Sequence, residues 1–247
     1  MTPAIVDRSI WVALSTGLAI LFTVLYAFMD QVNARHSAVR KWWELVRSPG
    51  FIKILRLLYA TSIPAVALFT QGALTYRGLG LKSLPRTQIA AQASNSWQTW
   101  QADAEVSATV CFVTFFILTA GIRRSGTHRP GDSPDPIMVI GNSFYEGFVN
   151  QIHWAFYREL FIFLWGIAFG SWLVVIPLTL ELLLNPANWS EFKDQHGITR
   201  RLIQTAIFVA STIQFIQTQN LWLMLIADML LRMSFYRYLF NTTSENQ

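Results

Sequence analysis

The residues with most chemical potential here are ionisable groups set in or beside apolar segments, where a charge is costly and is retained for a reason. They are Glu146, His153, Arg158 and Glu159, followed by Asp228 within LWLMLIADMLLRM. On one helix Glu146, Asn150 and His153 share a face, since seven residues make about two turns. An imidazole beside a carboxylate suits a divalent metal or a proton relay. The structural alternative is that Arg158 and Glu159 form ion pairs at a helix end. Asp228 has Arg232 four residues later, so an intrahelical pair neutralising both charges is its structural alternative. A functional Asp228 calls for a third partner, and His153 or Arg158 is the natural candidate. Were the chain an enzyme, these five residues would form the site, with His153 and Asp228 as the metal ligands.

Other chemistry is absent from the sequence. It has no phosphate-cradling glycine loop, no H-E-x-x-H and no G-x-S-x-G. The single cysteine, Cys111, excludes an internal disulfide and a thiolate cluster, and reads as a packing residue. Gln204, Ser211, Gln214 and Gln217 are spaced through an apolar region, where such side chains commonly hydrogen-bond between helices.

The elements that must position these groups are apolar blocks. Of the 247 residues, 53% are hydrophobic and only 13% charged, against about a quarter charged in a soluble domain. Backbone amides in lipid need internal partners, so such blocks are expected to cross a membrane as helices. Six spans are expected: 10–29, 52–69 with a kink at Pro64, 106–122, 160–184, 202–215 and 221–240. A further amphipathic stretch over 142–158 is a candidate seventh. The first block is longer than a signal-peptide core and is read as a retained helix. The polar stretch 71–103 reads as an ordered loop or surface helix, and SGTHRPGDSPDP (125–136) opens a linker, 125–140. The expected fold is thus an all-α polytopic transmembrane bundle in one membrane domain. Residues 1–124 supply the amino-terminal helices and 141–240 the remainder.

A net charge of +5 and a pI near 9.6 could suggest nucleic acid. The Lys and Arg residues, however, sit in short segments between apolar blocks, as the positive-inside rule requires, so no nucleic-acid partner is expected. Residues 31–49, with Trp42-Trp43 at an interface, and 123–129 are dense in Lys and Arg. This places them in the cytoplasm and the amino terminus outside, in a membrane of the bacterial inner, cytoplasmic type.

HWAFYR (153–158) resembles the arginine-bearing motif of the CAAX-protease and bacteriocin-processing family of intramembrane peptidases, E-E-x-x-x-R. TQNLWLMLIADMLLRM (218–233) is similar to that family's last helix. The resemblance covers about residues 141–240. It puts the motif arginine on Arg158, but His153 and Trp154 stand where two glutamates belong. Asp228 and Arg232 stand at the final histidine and Asn/Asp positions, and no F-x-x-x-H is present. The resemblance therefore implies a member without the chemistry, because His-Trp cannot replace Glu-Glu as general base and support. The expected function is a non-catalytic scaffold or accessory subunit, in contact with the bilayer and other membrane subunits. Lipid, quinone or pigment are the ligands its aromatic helices would suit. The rivals are a divergent peptidase and, behind it, a small transporter.

Overall fold

The computed structural model describes residues 10–11, 13–18, 21, 48–69, 80, 90–125, 135–184, 192 and 195–240. The basic loop with Trp42-Trp43, most of the first expected span, most of 71–89 and the linker over 126–134 lie outside the described residues. Every regular element within them is helical, so the chain is all-α. In order they are α1 (Pro49–Phe69), α2 (Ala90–Ser125), α3 (Pro136–Leu173), α4 (Val175–Leu184), α5 (Gln195–Thr218), α6 (Leu221–Ser234) and α7 (Tyr236–Phe240). Among the described residues, one helix, Trp97–Arg124, is long and apolar enough to cross a membrane. The bent pair Pro136–Leu173 and Val175–Leu183 passes the same test together.

The chain divides into two compact units. One comprises residues 1–75 and 152–191, the other 76–151 and 192–247. Helix α3 supplies its first half to the second unit and its remainder to the first. It starts where Asp135 caps its amino end, the carboxylate accepting from the Ile137 N–H at 3.0 Å. Pro136 occupies the first helical position, where a missing N–H costs nothing. The expected linker 125–140 is therefore shorter at its far end, because Asp-Pro is a helix start here.

In the unit containing 76–151 and 192–247, hydrogen bonds set the helix directions. Ser107 on α2 meets Gln214 on α5 at 2.6 Å. Asp103 meets Asn220 at 3.2 Å, and the Cys111 thiol lies 3.9 Å from the Ala227 carbonyl. Positions on α2 thus rise with those on α6 and fall with those on α5, so α5 and α6 form an antiparallel hairpin with α2 along both. The polar break at 217–220 is a hairpin turn, in which Thr218 and Asn220 are buried and Gln217 is exposed. Gln219 takes a positive φ of 48°, and Asn220 is fully buried and caps α6. Gly80 closes over the turn: its carbonyl accepts from Leu221 N–H at 2.8 Å. Its φ is +78°, and a Cβ there would lie 2.9 Å from the Phe215 ring. Of the two readings of the polar stretch 71–103, the helix holds for residues 90–103, which belong to α2.

In the other unit the apolar block 160–184 does not run straight. Gly166 has φ 76° and ψ 171°, a conformation essentially confined to glycine. A Cβ on Gly170 would collide with the backbone of Phe161 and Ile162. In a continuous helix nine residues would separate those positions by about 13 Å, so the chain turns back at Gly166. The segment after it lies antiparallel to the one before it, and Gly170 permits their close approach. Helix α1 is unbroken through Pro64.

Gly166→Ala is expected to destabilise the fold by about 1–3 kcal/mol. Gly141→Ala, on an open face of α3, should be neutral or stabilise by up to about 1 kcal/mol. Thermal unfolding of the purified variants in mild detergent measures both, and equal midpoints would contradict the reversal.

Candidate functional site

Two polar clusters occupy apolar surroundings, one in each unit. The first is built around Glu181, the one charged residue in the block 160–184 after Leu160. The reversal at Gly166 lays α4 beside α3, and His153 and Tyr157, one turn apart, face it. His153 Nε2 lies 3.2 Å from each carboxylate oxygen of Glu181. The Tyr157 hydroxyl donates to the same carboxylate at 2.5 Å.

Hydroxyls extend the cluster. Ser15 Oγ is 3.3 Å from Tyr157 OH and 2.8 Å from Tyr59 OH, and Tyr59 OH donates to the Ser15 carbonyl at 2.8 Å. The ring of His153 stands edge-on to Tyr157 with centroids 4.6 Å apart, and 5.6 Å from that of Tyr59. Arg56 adds a positive charge acting on Glu181. The His153 and Glu181 side chains are 13% and 21% exposed. Chemically this is an imidazole–carboxylate pair joined to a line of exchangeable hydroxyl protons. Such a set can hold or pass a proton.

The second cluster is centred on Asp228. Its carboxylate accepts from Arg232 Nε at 2.7 Å and from Gln151 Nε2 at 3.2 Å. The same Gln151 nitrogen reaches Ser211 Oγ at 2.7 Å. The Asp228 and Arg232 side chains are 0% and 2% exposed. At Gly147 α3 passes close to α6, where a Cβ would be in ordinary contact, 3.4 Å, with an Asp228 carboxylate oxygen. The i, i+4 pair expected as the structural alternative is present, and the third partner is Gln151, one turn of α3 beyond Gly147.

The five residues singled out from sequence fall into two sets. Glu146, half-buried, and Asp228 belong to one unit, and Glu146 lies within electrostatic range of Asp228. His153 belongs to the other, together with Arg158 and Glu159, which are 0% and 4% exposed. No group of three or more His, Cys, Asp or Glu gathers for a metal ion among the described residues. Of the interhelical polar residues expected, Ser211 and Gln214 bond across helices, Gln204 bonds to Arg201 on its own helix, and Gln217 is exposed.

Sequence reasoning missed Glu181, although it breaks an otherwise uncharged block and so met the criterion used for Asp228. It also missed Tyr157, Gln151 and Asp103, whose roles depend on neighbours distant in sequence. No protein-family model, curated protein or solved structure matches the chain.

Asp228→Ala strands the Arg232 guanidinium in an apolar interior and is expected to cost about 3–5 kcal/mol. The double change Asp228→Leu with Arg232→Met removes both charges and should recover most of that loss. A double-mutant cycle on unfolding midpoints tests this, and a single variant as stable as the parent would refute the buried pair.

Proposed function

We propose that this chain is a multi-pass membrane protein that acts without catalysis, as a scaffold or accessory subunit of a larger membrane assembly. The observation that carries this reading is the helix Trp97–Arg124, whose apolar window is only 11% buried within the chain. The core helix of a water-soluble protein would be mostly covered. Here Phe112, Phe116 and Ile117 are 64%, 53% and 66% exposed, and contiguous apolar surface of this kind calls for lipid or a protein partner. The exposed Ile54, Leu58, Phe163, Trp165, Phe169 and Ile176 extend the argument to α1, α3 and α4.

The reading keeps a multi-pass bundle in which the block 160–184 folds back at Gly166 and is not one straight span, with the basic segments 31–49 and 123–129 in the cytoplasm and the amino terminus outside. Kinship with the CAAX-protease and bacteriocin-processing family fits it as a member without the chemistry. The residues at that family's last motif, Asp228 and Arg232, are engaged with each other.

A second reading, the divergent intramembrane peptidase, has one observation in its favour. The His153–Glu181 pair is an acid–base couple in an apolar setting, and it retains some exposure.

Purification from native membranes in mild detergent, with mass spectrometry of the eluate, discriminates between them. Stoichiometric recovery of other membrane subunits, unchanged by Glu181→Gln, is expected. Purification of the chain alone, with a peptidase activity that Glu181→Gln or His153→Ala abolishes, would overturn the scaffold reading.

A further inference from the structure

The α2–α5 pair leaves a groove of about 410 Å³ between its helices, lined by Val110, Val113 and Ile117 on one side and Ala206, Ala210 and Ile213 on the other. Small residues on α5 open it, and the exposed apolar residues of α2 wall it. Its direction follows from the antiparallel register. Ser107 faces Gln214, and the lining pairs the Ile117 end of α2 with the Ala206 end of α5. Continuing one to two turns beyond Ile117 reaches Arg123 and Arg124 on α2. The corresponding turn of α5 carries Arg200 and Arg201. Four arginines therefore stand at one end of an apolar groove.

The dimensions match a lipid. From Thr109 to Ile117 the groove runs about 12 Å at 1.5 Å per residue, within the depth of one leaflet, about half of a 30 Å hydrocarbon core. The arginines follow at the distance of the headgroup layer. In the proposed orientation that end is cytoplasmic, the leaflet whose surface is negative.

We propose that this groove holds an acyl chain of an anionic phospholipid whose phosphate is bound by the arginines at 123–124 and 200–201. The inference rests on the membrane reading above and adds a ligand to it. A charged rim selects the headgroup, and the apolar groove takes the chain.

The test uses the full chain, purified from vesicles containing equal phosphatidylglycerol and phosphatidylcholine, with retained lipid counted by native mass spectrometry. Phosphatidylglycerol is expected to be retained over phosphatidylcholine. Arg123→Gln with Arg124→Gln should reduce its retention by roughly tenfold or more. Filling the groove by Ala206→Phe, or from the exposed side by Val113→Phe, should reduce it by roughly tenfold. Equal retention of both lipids, or retention unchanged in both groove-filling variants, would overturn the proposal. Alkaline carbonate extraction of the same membranes separates the two claims. A chain that resists extraction yet shows no lipid preference loses only the lipid site, whereas a chain released by carbonate loses the membrane reading as well.

Discussion

An apolar helix can carry a polar side chain only if that side chain finds a partner inside the protein, and this constraint sets the helix register here. Leaving a buried hydroxyl, amide or carboxylate unmatched costs several times what a matched pair contributes. Each matched pair therefore fixes two helices at one depth relative to each other. Ser107 with Gln214, Asp103 with Asn220 and Asp228 with Gln151 lock α2, α3, α5 and α6 at three levels. Dispersion between leucine and phenylalanine side chains contributes more energy in total, but it tolerates sliding. The polar pairs do not, because sliding any one of these helices by a residue would break the pairs it makes.

The same constraint explains the turn after α5. Reversing a helix leaves carbonyls and N–H groups without intrahelical partners. Here Asn220 caps α6, Asp103 holds the Asn220 amide, and the Gly80 carbonyl takes the Leu221 N–H. A turn supplied in this way can be buried. The reversal at Gly166 solves a different problem. It has no polar side chain of its own, and is made by one residue that can adopt φ 76° and a second, Gly170, that lets two backbone segments touch.

Much of the helical content was legible because hydropathy is local. The apolar blocks at 52–69, 106–122 and 202–215 lie within helices, and the block 221–240 is covered by α6 and α7 with a break at Phe235. The boundaries were less legible: a polar helix start such as Ala90–Asp103 carries no apolar signal, and Asp135-Pro136 reads as linker until its capping geometry is seen. The course of 160–184 was hidden for a further reason. Gly166 and Gly170 in FLWGIAFG are unremarkable in an apolar run, where glycine is common, and only their conformation marks the reversal. Of the candidate site, the Asp228–Arg232 spacing could be read directly. Glu181 could have been noticed as a lone charge, but its pairing with His153, 28 positions earlier, depends on the turn between them.

The two polar clusters differ in what they can do. A group that reacts must meet its substrate, and a carboxylate with no exposed surface, held by a guanidinium and an amide, has no access to one. Asp228 is in that state, and its neighbours read as a fastening between α3, α5 and α6. Glu181 is held differently. Its partners are an imidazole and a phenol, both able to exchange protons, and its side chain keeps a fifth of its surface. Among the described residues, Glu181 with His153 and Tyr157 forms the cluster able to exchange protons. Asp228 and Arg232 are occupied with each other.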